Sequence, residues 1–361
     1  AWLHGTNEFN IFGEYDMPIS VIVGGQFGSE GKGKVALEMV RRSISPTTLV
    51  RVGGSNSGHT AYDKQGSKWA LRQMPAGCID CNVDVVFPPG SYLDVELLSA
   101  EIETLRFPKE KIFVSPYAKI VTAQHKEWER KAGLKDAIGS TGSGVGAAVL
   151  AMTAREGRGI GLPTLFAEDC GPLQNFLADT SALLRRKLNV GDRIVIEGTQ
   201  GFGLSLIDGG YWPKATARQT TAAGAVAEAG LSPIDVDDIT MVLRAFPIRV
   251  SGDSGPLPNE LTWEEIAQSA GKNDLREYTT VTKRLRRVGR FDSELVLRAI
   301  DANNPTRIVM NHLDYLGNDS EIGLRGSNVH QFIEDVEIKI GRKLDWLGFS
   351  PFGIREKESH S

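Results

Sequence analysis

The most constraining feature of the sequence is residues 21–34, VIVGGQFGSEGKGK, where an apolar β-branched run breaks into a glycine-rich turn and then a helical pattern. This pattern predicts a phosphate-binding loop, because glycines let backbone N–H groups point inward, the helix adds its positive end, and a lysine adds a charge. The strict P-loop pattern fails twice, since Gln26 stands where the first glycine belongs and Gly33 replaces the hydroxyl residue that binds magnesium. The segment therefore indicates phosphate binding outside the ordinary kinase and ATPase pattern, with a tight turn in an α/β core as the alternative.

The composition narrows the class of protein. The chain has 361 residues, 41% hydrophobic and 24% charged, which suits one large α/β domain with insertions or two domains. Its net charge of −4 argues against a protein that coats nucleic acid. No apolar run approaches the ~18 residues of a membrane helix and no signal peptide is recognisable, so we expect no membrane association and a cytoplasmic location. Cys78 and Cys81 are spaced C-x-x-C, but free thiols are favoured over structural zinc.

Apolar runs and helical patterns alternate along the chain. Strands are predicted at residues 19–24, around 49, 83–87, 194–197, 239–246 and 307–310, and helices at 32–42, 95–105, 122–132, 145–155, 173–188 and 295–302. This rhythm predicts an α/β fold with a P-loop-like central, mainly parallel sheet flanked by helices, carrying long active-site loops. Residues 1–16 show neither period and are interpreted as a leader or an added remnant outside the fold, and residues 17–361 as one domain.

Three further segments suit a nucleotide site. Residues 52–60, VGGSNSGHT, follow a strand, where open α/β sheets place their ligands, although a histidine in such a loop is more often an ordinary surface residue. Residues 138–146, IGSTGSGVG, run into a helix and form a second candidate phosphate nest. Residues 197–201, EGTQG, carry Gln200, whose amide presents a donor and an acceptor that can read a base edge without titrating.

Residues 279–290, TTVTKRLRRVGR, are the strongest charge cluster, with five basic residues among the twelve. Such a cluster is typical of a solvated face or a polyanion-binding patch. The segment has no aromatic residues to stack on bases. Hydroxyl groups beside arginines instead suit a small dicarboxylate, because guanidinium groups bind carboxylates through two parallel hydrogen bonds.

These segments together resemble the adenylosuccinate synthetases from about residue 19 to residue 352. That family reads GQWGDEGKGK at the first loop, GGxNAGHT at the second and EGAQG at the fourth, and the matches here occur in the same order. One difference concerns chemistry, because Ser29 stands where the family has an aspartate, its catalytic base. A serine at this position resembles the viral relatives, the 2-aminoadenylosuccinate synthetases, which act on deoxyguanylate.

The resemblance implies overlapping groups of site residues. The catalytic residues would be Ser29, Lys32, His59 and Gln200. The purine monophosphate would be bound by Ser29, Asn56, Ser140, Thr141, Arg155, Gln200 and Thr216, with Arg155 reaching into the neighbouring subunit of a homodimer. The triphosphate would be bound by Gly28, Glu30, Gly31, Lys32, Gly33, Gly58, His59, Thr60 and Asp314. L-Aspartate would be bound by Thr280, Thr282, Arg284 and Arg286, and magnesium by Ser29 and the Gly58 carbonyl. Without the resemblance, Arg155 is typical of a solvated arginine and Thr216 of a turn hydroxyl.

The resemblance also implies a reaction. We expect a ligase that joins L-aspartate to the 6-position of (d)GMP through a 6-phosphoryl intermediate, with Mg²⁺ and with ATP or dATP as donor. GTP is less favoured because His312 replaces the lysine with which the synthetases bind the guanine of GTP. The location would be the host cytoplasm if the source is viral. Three alternatives stay open: an ordinary synthetase acting on IMP with GTP, a nucleotide-binding regulator without catalysis, and a nucleic-acid binder using residues 279–290.

Overall fold

The computed structural model describes residues 18–155, 159–279, 283–317, 322, 324 and 326–357. The predicted leader, residues 1–16, lies outside the described residues. Within them the strands are β1 (Ile19–Gly24), β2 (Thr47–Arg51), β3 (Gly53–Gly54), β4 (His59–Tyr62), β5 (Lys68–Leu71), β6 (Asp84–Phe87), β7 (Ser91–Leu93), β8 (Ile112–Val114), β9 (Lys119–Ile120), β10 (Arg193–Glu197), β11 (Asp238–Arg244), β12 (Ile248–Arg249), β13 (Glu260–Leu261), β14 (Arg287–Gly289), β15 (Arg307–Asn311), β16 (Trp346–Leu347) and β17 (Arg355–Glu356). The α-helices are α1 (Lys32–Arg42), α2 (Val95–Leu105), α3 (Ala123–Lys131), α4 (Leu134–Ile138), α5 (Val145–Thr153), α6 (Thr180–Asn189), α7 (Ala222–Ala229), α8 (Trp263–Ser269), α9 (Ser293–Asn303) and α10 (Asn328–Ile340).

Nine of these strands form one central sheet in the order β17-β16-β15-β11-β1-β10-β2-β6-β8. Every neighbouring pair is parallel except β16 and β17, which are antiparallel. Strand β1 lies in the middle, between β10 and β11. The carboxyl ends of the parallel strands therefore meet at one edge, which is where open α/β sheets place their ligands. The predicted α/β class with a mainly parallel sheet is confirmed.

The sheet is covered on both faces, which explains why its strands read as apolar runs. All six residues of β1 are buried. Val21 and Val23 belong to one hydrophobic cluster and Ile22 to another, as expected when successive side chains point to opposite faces. Helix α1 contributes Val35, Ala36, Leu37, Met39 and Val40 to the second cluster, whereas α7, α9 and α10 contribute apolar residues to the first.

One predicted element is wrong and several were missed. The helix predicted at residues 173–188 is interrupted: a short 3₁₀ helix covers Gly171–Phe176, and α6 begins only at Thr180. The interruption has a local cause, because the Asp179 carboxylate accepts the Ala182 N–H and so caps α6 at its start. Helices α7, α8 and α10 were not predicted. No helix among the described residues is long and apolar enough to cross a membrane.

Candidate active site

The glycine-rich loop follows β1 at the carboxyl edge of the sheet and leads into α1. Gly28, Ser29 and Gly31 have φ values of 91°, 59° and 93°, so the chain passes three times through the left-handed region. Helix α1 has no side-chain cap at its start and no acidic residue in its first turn. Its first N–H groups and its dipole are therefore left to an outside anion, as a phosphate site requires.

Glu30 and Lys32 form a buried ion pair under this loop. The Glu30 side chain is fully buried, and its Oε1 accepts the N–H groups of Gln26 and Gly28 at 3.2 and 2.7 Å. Its Oε2 lies 2.8 Å from Lys32 Nζ, which also contacts the Gln200 carbonyl. The carboxylate thus shapes the loop and orients the lysine rather than pointing outward.

The second loop, after β2, packs directly against the first. A Cβ placed on Gly33 would lie 3.1 Å from the Cβ of His59 and 3.3 Å from the Thr60 carbonyl. Asn56 and Thr60 are half-buried and Gly58 is exposed. His59 is buried, and its Nδ1 is hydrogen-bonded to the Glu197 carboxylate at the end of β10. The predicted triphosphate residues of both loops are therefore brought to one place.

His59, Glu197 and Arg51, the last residue of β2, form one buried cluster. Burial and the adjacent Arg51 lower the pKa of His59 to about 4, against the opposing effect of Glu197. Burial alone would raise the pKa of Glu197, but His59 and Arg51 outweigh it and lower the value to about 2. At neutral pH the cluster therefore contains a neutral imidazole, a carboxylate and a guanidinium.

Gln200 follows β10 and lies beside the glycine-rich loop. Its backbone is left-handed, with φ 54°, and a Cβ on Gly28 would lie 3.6 Å from the Gln200 Cα. Its N–H donates to Ser57 Oγ at 3.3 Å. Its buried Oε1 has no hydrogen-bond partner within the described part of the chain. A buried acceptor without a partner is costly, so a bound ligand that donates to it is the expected solution.

The residues predicted to hold the monophosphate come from separate segments. Ser140 and Thr141 are half-buried, and Thr141 Oγ1 donates to Ser143 Oγ at 3.0 Å. Lys214 Nζ joins the Thr216 segment to this one by donating to the Ala137 carbonyl at 2.6 Å. A cavity of about 500 Å³ reaches Thr141 and Gly142, and its wall contains both basic and acidic residues: Lys126, Arg130 and Lys135, with Glu127, Glu129 and Asp136.

Part of this second loop is already occupied by a protein carboxylate. Glu129 is buried and accepts the N–H groups of Gly144 and Ala147 at the start of α5, at 2.9 and 3.2 Å. Those two amides are therefore satisfied within the chain, and so are the N–H groups of Ser140 and Gly142, which donate to the Leu134 carbonyl and to Ser140 Oγ. Arg155 is exposed just beyond the end of α5.

The predicted base-contact residue Asp314 lies beyond β15. Asn311 ties this strand end to the glycine-rich loop, because its Nδ2 donates to the Glu30 carbonyl at 2.8 Å. Asp314 is ion-paired with Lys272, at 2.9 Å. His312, which replaces the family's lysine, is left-handed at φ 60°, and burial together with Arg244 lowers its pKa to about 3. A neutral histidine and a paired aspartate therefore stand at this position.

The arginine-rich segment connects to Ser29 through a buried ion pair. Arg284 is exposed and Arg286 is half-buried, whereas Thr280 and Thr282 lie outside the described residues. The Arg286 N–H donates to the Glu277 carbonyl at 2.9 Å, and the Glu277 side chain pairs with Arg244. Arg244 Nη1 in turn donates to the Ser29 carbonyl at 3.1 Å. Contacts through Glu277 and Arg244 therefore join the arginine-rich segment to the glycine-rich loop.

The two predicted magnesium ligands, Ser29 and Gly58, suit an ion that is bound mainly by the substrate phosphates. No group of three or more His, Cys, Asp or Glu side chains that could hold a metal occurs in the described chain. The Ser29 hydroxyl and the Gly58 carbonyl are hard oxygen ligands of the kind that Mg²⁺ accepts. Mg²⁺ is commonly held by one or two protein ligands together with substrate phosphates, so these two residues fit that arrangement.

Comparison with known proteins decides the family. The adenylosuccinate synthetase family profile matches residues 21–170 and 164–327. The adenylosuccinate synthetases of Pyrococcus sp. (strain ST700) and Methanococcus vannielii are each 34% identical to this chain, over 343 and 346 residues. Each match covers 93% of this chain and 96% or 97% of the relative. The chain belongs to the adenylosuccinate synthetase family.

Two solved structures agree with this membership. Succinoaminodeoxyadenylate synthetase (PurZ) of cyanophage S-2L, bound to dGMP and to dATP as an energy donor, superposes with a TM-score of 0.79 at 27% identity over 94% of this chain and 95% of that chain. The fully ligated adenylosuccinate synthetase of Plasmodium falciparum gives a TM-score of 0.80 at 20% identity over 94% and 100%, which shows the shared fold. The protein is therefore a ligase of purine nucleotide biosynthesis, in a family that uses Mg²⁺ and a nucleoside triphosphate and binds nucleotides and aspartate.

Sequence reasoning missed the buried partners of the site residues. Arg51, Glu197 and Arg244 contact predicted site residues, and the Glu277 carbonyl accepts the Arg286 N–H, yet none of the four was among the candidates. Three of them had a readable signal, because Arg51, Glu197 and Arg244 are charged residues that end buried strands. A charge in that position is rarely tolerated without a partner at the same edge.

Proposed function

We propose that the chain is a 2-aminoadenylosuccinate synthetase. It joins L-aspartate to the 6-position of dGMP with hydrolysis of ATP, or of dATP, and produces N6-succino-2-amino-2'-deoxyadenylate, ADP or dADP, and phosphate for diaminopurine nucleotide synthesis. The observation that carries the proposal is Ser29, a half-buried residue of the glycine-rich loop where the family's aspartate belongs. Arg244 Nη1 donates to the Ser29 carbonyl and so holds the backbone of this residue.

The physical reason concerns the purine 2-amino group. Guanine differs from hypoxanthine by this exocyclic amine, and a serine is shorter than an aspartate and carries no charge. Ser29 therefore offers room and a hydroxyl acceptor to the amine. A site built to hydrogen-bond a group rejects a ligand without it by several kcal/mol, because its own polar atoms then stay unsatisfied.

The remaining residues suit a reaction in two steps. In the first step the purine 6-oxygen attacks the γ-phosphate. Lys32 and the loop amides bind the phosphates, His59 lies beside them, and the Gln200 amide holds the purine 6-position. In the second step the aspartate amine displaces phosphate from the 6-position, while Arg284 and Arg286 bind the two carboxylates. Magnesium, held by Ser29, Gly58 and the substrate phosphates, would neutralise charge on the phosphoryl group.

Two finer features belong to the same proposal. Arg155 would complete the monophosphate site of a partner subunit, and its exposed position leaves it accessible to one. ATP or dATP would be the donor, because Lys272 pairs with Asp314 and the lysine of GTP-using enzymes is replaced by His312. The S-2L enzyme, whose structure contains dGMP and dATP, supports this choice of substrates.

The second candidate is an adenylosuccinate synthetase that uses IMP and GTP. It is favoured by the names of the 34% identical relatives, which are more similar in sequence than the phage enzyme. The third, a nucleotide-binding regulator that lacks catalysis, would bind nucleotides tightly and release no phosphate when aspartate is added.

A phosphate-release assay separates these candidates. We expect aspartate-dependent release with dGMP and ATP or dATP, and poor release with IMP, when dGMP, GMP, IMP and dIMP are each tested with ATP, dATP and GTP. Ser29→Asp should reduce kcat/KM for dGMP more than for IMP, whereas Ser99→Asp, at an exposed position of α2, should change neither. Comparable kcat/KM for IMP and dGMP in the unaltered protein would refute the proposal and favour the second candidate, an ordinary adenylosuccinate synthetase.

A further inference from the structure

Glu197 occupies a special position at the carboxyl edge of the sheet. It ends β10, is fully buried, and stands in register with Arg51 on β2. Its two oxygens are held by the N–H groups of Ala76 and Gly77, at 3.3 and 3.4 Å. These backbone N–H groups therefore hold the Glu197 carboxylate in place, where it also contacts His59 Nδ1.

The neighbours of His59 determine where the imidazole proton lies. A carboxylate is only an acceptor, so Nδ1 must carry a hydrogen that it donates to Glu197. Arg51 Nη1 lies 3.3 Å from Nε2 and 3.5 Å from Nδ1, so this donor does not by itself distinguish the two ring nitrogens. Nε2 also lies 3.3 Å from Ser57 Oγ, whose lone pair already accepts the Gln200 N–H, so its hydroxyl hydrogen is available to Nε2. The Glu197 contact therefore places a hydrogen on Nδ1, and the Ser57 hydroxyl is compatible with a lone pair on Nε2.

This Nε2 edge is turned toward the phosphate-binding residues. Ser57 connects it to Gln200, and the Gln200 carbonyl contacts Lys32 Nζ. The His59 Cβ and the Thr60 carbonyl pack against Gly33 at the start of α1. The orientation of the ring therefore decides which atom of His59 reaches the reacting groups.

We propose that Glu197 is a positioning residue that fixes the Nδ1–H tautomer of His59 and directs its Nε2 toward the phosphate end of the site. Glu197 itself touches no substrate. It acts through His59, as the buried acid of a catalytic triad acts through its histidine. Only the kinetic part of the test rests on the proposed function.

The first measurement is the tautomer of His59 in the unaltered protein, read from ¹⁵N NMR of the imidazole nitrogens. The chain has only six histidines, and His59→Ala identifies the His59 signals by their loss. We expect a protonated Nδ1 and an unprotonated Nε2. A protonated Nε2 with a bare Nδ1 would overturn the proposal, and this result needs neither a substrate nor a Glu197 variant.

The second measurement is kinetic and uses Glu197→Gln, which keeps the shape but offers an amide that can donate to Nδ1. We expect kcat to fall at least ~100-fold while KM for the monophosphate changes only a few-fold, since the wrong tautomer of an oriented histidine is costly. In a His59→Ala background the same change should cost nothing more, because Glu197 would have nothing left to position. A loss that persists undiminished in that background would assign Glu197 a role independent of His59 and refute the proposal.

The matched control is Glu101→Gln. Glu101 is also buried and also accepts backbone N–H groups, from Arg72, Gln73 and Met74, but it does not contact His59. We expect no change in kcat and no change in the His59 signals. If neither dGMP nor IMP is turned over by the unaltered protein, the proposed function fails, and the tautomer measurement still decides the role of Glu197.

Discussion

The buried ion pair of Arg244 and Glu277 allows a stability prediction with a magnitude. The Arg244 side chain is fully buried, and Glu277 also accepts the Tyr315 hydroxyl at 2.8 Å. Burial raises the pKa of Glu277, but Arg244 and His312 outweigh it and bring the value from 4.5 to about 2. This corresponds to roughly 3 kcal/mol, because one pKa unit is worth about 1.4 kcal/mol. Breaking a buried pair by removing one partner typically costs about 3 to 5 kcal/mol, which agrees.

The test is urea unfolding of Glu277→Gln at several pH values. The pKa of Glu277 is lower in the folded protein than in the unfolded chain, so its contribution is complete above pH 4.5 and is lost as the pH falls through about 2. We therefore expect the variant to be about 3 kcal/mol less stable at pH 7, and the difference to shrink steadily below pH 4.5. The control Glu264→Gln removes an exposed partner of Arg276 and should change nothing measurable. A difference below about 1 kcal/mol at pH 7, or one that does not depend on pH, would refute the reasoning.

Three further predictions concern ligands. Arg284→Ala should raise KM for aspartate roughly 30-fold, the value of about 2 kcal/mol from one charge-assisted contact, and leave nucleotide binding nearly intact in a calorimetric titration. Arg155→Ala mixed with an inactive Lys32→Ala chain should recover phosphate release, because one hybrid site of a dimer would contain both intact residues. Lys272→Met should shift donor preference toward GTP by about tenfold, since the freed Asp314 carboxylate could accept the N–H groups of guanine.

Each of these has a control and a contrary result. Lys283→Ala, at an exposed neighbour in the arginine segment, should leave KM for aspartate unchanged, and loss of nucleotide binding in the arginine variant would move that segment to another role. No recovery on mixing the two inactive chains would place Arg155 on the surface or in its own subunit's site. Lys343→Met, at an exposed lysine paired with Glu337, should not affect donor choice, and an unchanged ATP to GTP ratio with Lys272→Met would exclude the base-contact role of that pair.

The central sheet was predictable because buried parallel strands read as apolar runs. Strands β1, β10 and β15 were recognised within one or two residues for this reason. Strands β8 and β16 have three and two residues, too few to show a period. Helix α10 did carry a signal, since Val329, Ile333, Val336 and Ile340 are buried along one face, and its Ser327 cap marks its start.

The site was predictable only where it is made of loops that follow strands. The glycine-rich loop and the loop carrying His59 meet because β1 and β2 end at the same edge, on either side of β10. The charge pairs behind them join residues that are far apart in sequence: His59 and Glu197 are 138 positions apart, and Arg244 and Glu277 are 33 apart. Such pairs depend on strand order, which the sequence pattern does not specify.

The buried charge pairs indicate what a carboxylate at position 29 would do in place of the serine. Each of the three buried or nearly buried carboxylates that the described chain brings to this edge already has a cation or a histidine beside it: Glu30 has Lys32, Glu197 has His59, and Glu277 has Arg244. The cation beside position 29, Arg244, already pairs with Glu277, so the aspartate of Ser29→Asp would add an uncompensated negative charge beside the phosphate loop. It should therefore weaken binding of the triphosphate, and Mg²⁺ should offset this effect, because a divalent ion can lie between the carboxylate and the phosphates. We expect KM of Ser29→Asp for ATP to fall toward that of the unaltered protein as Mg²⁺ is raised. A KM that does not respond to Mg²⁺ would mean that position 29 faces the purine alone and not the phosphates.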